Sequence, residues 1–446
     1  MNLRERTGRR RLQLVRPLRS LGLTLGAILL AATAARAAAA SMEILVCPTC
    51  HTSSLKEAVR EARAGSKIVV RGGYYREGNI VVDKSLRIVG EQWPVLDGGG
   101  EAEVLTVIAS DVEVSGLVIE NSAIRFSEDP AGIKVRNAQR CTIRDNRLLN
   151  DFFAIYLAGA SDCVVSGNQV RGRAGSETIS GNAIHLWNCR RILVKDNRVS
   201  GHRDGLYFEF LRDSTIVGNL SERNVRYGMH TMYSSDNNYS ANTLRDNKAG
   251  EVLMYSKRLV VRANRIEHNW GPACDGALLK DLDQSRIEGN LFVRNSVGLY
   301  AENSNHNTIA NNQFLNNGVA VRVLADSDDN LFTANAFEAN TFDVASNSVA
   351  ASNSTFRRNY WSAYRGYDFN GDGLGDAPYH PVALFTVLAQ NYPAAMVLLR
   401  SPFAELLDLA ERAIPALTPK ALVDAQPLME KPAWSKSATF ESASAR

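Results

Sequence analysis

The chain has 446 residues, 45% hydrophobic and 22% charged, with a formal net charge of +4. That composition excludes a disordered chain and supplies apolar surface for a large core. The first 40 residues hold eight arginines and one glutamate, +7 in all, so the remainder carries −3, an acidic balance that argues against a nucleic-acid partner.

Residues 1–20 form a basic region, Leu21 to Leu30 an apolar run, and Ala35-Arg36-Ala37 a small-residue cleavage site. The pattern predicts a secretory signal peptide over residues 1–40. The other reading, an uncleaved anchor, meets an apolar run shorter than the roughly 20 residues a membrane span needs. An exported chain places its cysteines in an oxidising compartment. Cys47-Pro-Thr-Cys50-His51 fits a c-type haem attachment motif, a disulfide or a dithiol metal site, and spacing does not choose among them. Of the other four cysteines, Cys141 and Cys163 occupy one column of the repeat described next, as stacked thiols or a disulfide. Cys189 is offset from that column, and Cys274 reads as a core thiol.

Ser54 to Ala64 reads as a short amphipathic helix with Leu55, Ala58, Val59 and Ala62 on one face. Downstream the chain repeats itself. Short segments such as CTIRDN, CVVSGN and STIVGN end on Asn146, Asn168, Asn197, Asn219, Asn242, Asn264, Asn290, Asn311, Asn335 and Asn359, spaced by 21 to 29 residues. Each unit is rich in β-branched residues and too short to bury its own apolar face, so units must stack. A right-handed parallel β-helix fits this period, with the asparagines as a structural ladder and the helix at 54–64 as its N-terminal cap. About ten coils would make a rod near 50 Å, at ~4.8 Å per coil.

Registering the coils on their asparagines aligns a strand in each. Its first and third residues, Ile155/Leu157, Ile184/Leu186, Leu206/Phe208 and Met229/Thr231, point inward by period-two alternation. The second and fourth point outward, as Tyr156, His185, Tyr207, His230, Val252, Leu278 and as Ala158, Trp187, Glu209, Met232, Met254, Lys280. Imidazoles and thioethers on one outer wall suit soft Cu(I) in a compartment where thiolates risk oxidation. The expected copper ligands are His230, Met232 and Met254, assisted by His185, with Trp187, Tyr207 and Glu209 as an accessory patch. A protein-docking face and plain packing are the competing readings. His202, His268, His306 and His380 fall outside the patch. A lone outward Glu209 lacks the paired carboxylate of a glycosidase, so the expectation is a non-enzymatic protein. Trp187, Tyr207 and Tyr156 could still stack on sugar rings in a carbohydrate-binding or polysaccharide-cleaving β-helix.

The repeat is expected to close near residue 365. Over 366–381, Asp368, Asn370, Asp372 and Asp376, with the Leu374 carbonyl, resemble a calcium-loop run that lacks its final glutamate. An acidic turn locking the end of the rod is the other reading. Residues 382–446 read as an apolar helical segment, split at Pro393 and Pro402, suited to capping the rod or to docking on another protein and followed from Thr418 by a polar, flexible tail.

The runs GNAIHLW, DGLYFEF, YGMHTMYSSDNN and EVLMYS, then NYWSAYRGYDFNGDGLGDAPYHP and SPFAELLDLAERAIP, resemble the NosD family over most of residues 80–430. The resemblance implies a periplasmic β-helix, peripheral to the membrane through its C-terminal helices. It implies work with an ABC transporter permease and ATPase and with a copper-chaperone lipoprotein, in copper or sulfur delivery to nitrous oxide reductase. Cys47-Pro-Thr-Cys50-His51 has no counterpart in that pattern.

Overall fold

The computed structural model describes residues 42–436, apart from 126–127, 174, 179, 272–274, 348–352, 399–400, 415–418 and 420–421. The expected leader, Cys274 and Thr418 lie outside the described residues.

From Glu43 onward the chain coils into a parallel β-solenoid. Three sheets of 14, 12 and 13 strands run its length, and each strand hydrogen-bonds to strands about one coil away in sequence. Most strands are three residues long, as expected of segments that turn after burying a single central side chain. At ~4.8 Å per coil, 13 coils make a rod of about 60 Å, longer than the asparagines alone indicate. The first coils, with strands Lys67–Arg71 and Arg87–Glu91, carry no ladder asparagine.

The N-terminal cap is the helix Leu55–Glu61. Ser54 caps it by accepting from the Glu57 N–H, and Glu77 accepts from the Leu55 and Lys56 N–H groups. Leu55, Ala58 and Val59 press into the first coil and cover an edge that would otherwise invite pairing.

The asparagine ladder is buried and continuous. Each Oδ1 accepts from the backbone N–H and Nδ2 of the asparagine one coil earlier, as Asn242 does from Asn219 at 3.0 Å each. One member differs from the sequence reading: Asn312, not Asn311, stands between Asn290 and Asn335. Asn311 instead occupies the left-handed position before the ladder, φ +54°, which Gly167, Gly218, Ala241 and Ala334 take elsewhere. A second ladder runs five residues downstream through Asn224, Asn247, Asn269, Asn295, Asn317 and Asn340.

Cys141, Cys163 and Cys189 are buried free thiols, with the Cys141 N–H donating to the Cys163 sulfur at 3.3 Å. Cys47 and Cys50 are joined in a disulfide.

At the far end, the tail read as polar and flexible does structural work. Asp424, fully buried, accepts from the Asn359 N–H and Nδ2 and from Trp361 Nε1, and so terminates the asparagine ladder. Two helices precede it. Leu384–Asn391 packs through Phe385 and Ala389, and Pro402–Ala413, capped by Ser401, leaves Leu406 62% and Leu409 61% exposed. Among the described residues no helix is long and apolar enough to cross a membrane.

Candidate functional site

The 12-stranded sheet carries the residues singled out from the sequence. Its strands Phe153–Ala158, Ile184–Trp187, Asp204–Glu209, Tyr227–Met232 and Ala249–Met254 pair in the anticipated register. Tyr156, His185, Tyr207, His230 and Val252 form one column, and Ala158, Trp187, Glu209, Met232 and Met254 the next. Leu206, Phe208, Met229 and Leu253 point into the continuous core, so both columns lie on the outer wall.

Along the first column the rings of Tyr156, His185, Tyr207 and His230 follow one another at centroid distances of 4.5, 4.6 and 5.0 Å. His230 does not stand open to solvent as expected. Only 2% exposed, it lies between the ring edges of Tyr207 and Tyr227. Gly228 breaks the period-two alternation, which brings Tyr227 back to the outer wall three residues before His230. Asp204, fully buried one coil earlier, places Oδ2 3.5 Å from His230 Nδ1. Neither imidazole nitrogen has a hydrogen-bond partner, an arrangement that costs about 1–3 kcal/mol per buried polar group unless a ligand meets it.

Met232 and Met254 are half-buried and face each other directly across adjacent strands. The Tyr207 hydroxyl stands 3.6 Å from the Met232 sulfur and 3.3 Å from Glu209 Oε2. Side chains two apart on a strand lie ~6.6 Å apart and neighbouring rungs ~4.8 Å, so one imidazole and two thioethers share a small area. That donor set fits a soft cation.

His185 is placed differently. Burial holds its pKa at about 3, so the ring is neutral, and Asn182 Nδ2 lies 3.2 Å from its Nδ1. With Tyr156 and Tyr207 rings on either side, His185 reads as a spacer in the column. Trp187 is 42% exposed at the rim. Glu177, between Arg171 and Ile184 in the chain, pairs with Lys248 at 2.9 Å.

Sequence reasoning missed a neighbouring feature. Phe210, Tyr233 and Tyr255 directly follow Glu209, Met232 and Met254, stack at 5.3 and 5.0 Å, and stay at least 40% exposed. All three have left-handed backbone, φ +54°, +48° and +51°, where the flanking coils use Asn188, Asp281 and Asn303. Bulky residues avoid that conformation. The signal available was aromatic residues standing in a column of Asn and Asp.

Glu251 was also missed. It occupies the inward column between Met229 and Ala277, 1% exposed, and burial raises its pKa to about 8.

The acidic loop folds on itself. Asp368 accepts from the N–H groups of Gly371 and Gly373, Asp372 from Leu374, and Asp376 from Phe369. Asn370 Nδ2 donates to Asp372. Among the described residues no three His, Cys, Asp or Glu side chains converge on a metal position.

The chain is similar to known proteins. The family model for "Periplasmic copper-binding protein (NosD)" matches residues 173–371, the segment that holds all three outer-wall donors. A "Probable ABC transporter binding protein NosD" from Pseudomonas aeruginosa is 33% identical over 373 residues, covering 80% of this chain and 86% of the relative. Its counterpart from Stutzerimonas stutzeri is 32% identical over 374 residues, covering 80% and 85%. Among solved structures, the Dettilon tailspike protein shares the fold at 13% identity and a TM-score of 0.50, over 72% of this chain and 70% of its own. With a third of its residues identical to a relative along most of both lengths, the chain belongs to the NosD family of periplasmic copper-binding proteins.

Proposed function

We propose that this protein is a periplasmic, non-enzymatic accessory factor that receives copper as cargo and passes it on during maturation of nitrous oxide reductase, in association with an ABC transporter. The observation that supports this most directly is His230, an imidazole with no hydrogen-bond partner, buried beside the register-paired Met232 and Met254. Thioethers and a neutral imidazole favour Cu(I) over hard cations and resist oxidation where thiolates do not. Three ligands on one wall, open on the Met side, suit a site that must release its cargo. Tyr207 and Glu209 border Met232 and position it. The exposed face of Pro402–Ala413 is the surface proposed to meet the transporter's membrane subunit.

The test is Cu(I) titration of residues 41–446 against a competing chelator. Replacing His230 with Ala and both Met232 and Met254 with Leu is expected to weaken binding at least tenfold, while His185→Gln changes it little. Unchanged affinity in the triple variant would refute this placement.

A further inference from the structure

Several arginines on the rod are neutralised from a neighbouring coil, as Arg140 is by Asp111, Arg191 by Asp162 and Arg258 by Asp236. Three on the outer face of the 13-stranded sheet are not. Arg147, Arg171 and Arg198 are exposed on consecutive coils, in the strands Arg147–Leu149, Gln169–Arg171 and Arg198–Ser200. Among the described residues none of them forms an ion pair. Gln169 is the register partner of both Arg147 and Arg198, so these two stand two rungs apart, ~9.6 Å, with Arg171 on the coil between.

The three line a shallow concavity of about 380 Å³ together with Leu149, Leu220, Gln169 and Glu222. The acids that could neutralise it are engaged elsewhere. Glu222, which also lines the concavity, is held by Arg223 and Arg245, and Glu120, in register with Leu149 at the opposite end, accepts from Tyr74 while burial and the neighbouring Asp97 raise its pKa. Arg147 is also fixed in direction, its guanidinium 3.9 Å over the Trp93 ring.

We infer that this concavity is a docking site for an acidic segment of a partner protein, on a different sheet from the copper wall. Guanidinium groups take carboxylates in bidentate pairs, and arginine is enriched where partners bind. Three cations without an ion-pair partner, flanked by Leu149 and Leu220, complement a short run of alternating Glu or Asp with apolar spacers. The Trp93 face on which a sugar ring would stack is occupied by Arg147, so the geometry favours a peptide over an acidic glycan. Such a surface would steer association from a distance and hold the partner while the other wall stays free.

The experiment titrates the chain from residue 41 with a synthetic peptide of alternating Glu and Ala, with its Gln counterpart, and with an oligouronate of equal charge. The expected result is binding of the Glu peptide that weakens as salt rises. The variant Arg147→Gln/Arg171→Gln/Arg198→Gln should lose at least tenfold, and Arg136→Gln/Arg262→Gln/Arg357→Gln, on the other two sheets, should bind as the parent does. Equal binding by the two triple variants, no preference for the Glu over the Gln peptide, or tighter binding of the oligouronate would each overturn the proposal. All six arginines are exposed, and unfolding midpoints equal to the parent's are the check that both variants fold.

Discussion

Phe210, Tyr233 and Tyr255 show a local cost that the fold does not require. A bulky residue in the left-handed region costs on the order of 1–3 kcal/mol, and stacking returns about 0.5–1.5 kcal/mol per pair. Tyr233→Asn exchanges strain for lost stacking, so denaturant unfolding should change by less than about 1 kcal/mol. A loss above about 3 kcal/mol would mean that these rings serve as core rather than as surface. The strip borders both methionines, which suits a wall that a partner must approach. His230 marks the limit of reading single residues. Its outward direction followed from period-two alternation, whereas its burial did not. The covering groups are Tyr227, returned to the outer wall at Gly228, and Asp204 from the coil before, and neither follows from alternation.

Among the elements, the ladder separates two asparagines that the sequence makes look alike. Asn242→Ala removes the acceptor for the Asn219 N–H and Nδ2 and should destabilise by at least about 2 kcal/mol. Asn311→Ala should cost less than about 1 kcal/mol, since alanine already takes this left-handed position at Ala241, Ala263 and Ala334. Reversal of these effects would contradict the register. The slip between Asn311 and Asn312 arises because the turn accepts asparagine in both places, one for its backbone and one for its amide. The end of the rod was unreadable for a different reason. Asp424 lies 65 residues beyond Asn359, whose N–H it caps, and no periodicity connects them. The helix Pro402–Ala413 makes a separate prediction: Leu406→Glu/Leu409→Glu should abolish capture of the transporter's membrane subunit in a pull-down. Cu(I) affinity should stay the same, because the helix lies at the far end of the rod from the wall. Retained capture would reject this docking surface.

For the molecule as a whole, buried acids tie stability to pH: burial raises the carboxyls of Asp151, Asp275, Asp343 and Glu251. The folded-state pKa of Glu251, about 8, lies above its ordinary value near 4.5, so the folded chain favours the protonated form. Its contribution is fully present below about pH 4.5, declines as pH rises, and is gone above about pH 8. Glu251→Gln should reduce the slope of the stability profile between those limits, as read by unfolding midpoints across pH, with Asp275 and Asp343 supplying the remainder near pH 6. An unchanged slope would place the dependence elsewhere. The architecture itself could be read because a stacked fold repeats its register, so one column of asparagines located every neighbouring column. The chemistry of the wall followed from that register, and its depth came from packing between coils. The most direct measurement of the central claim is X-ray absorption at the copper edge on Cu(I)-loaded chain. Mixed nitrogen and sulfur scattering is predicted, with the sulfur contribution lost in Met232→Leu/Met254→Leu and the nitrogen contribution reduced in His230→Ala. A spectrum that none of these substitutions alters would contradict the account.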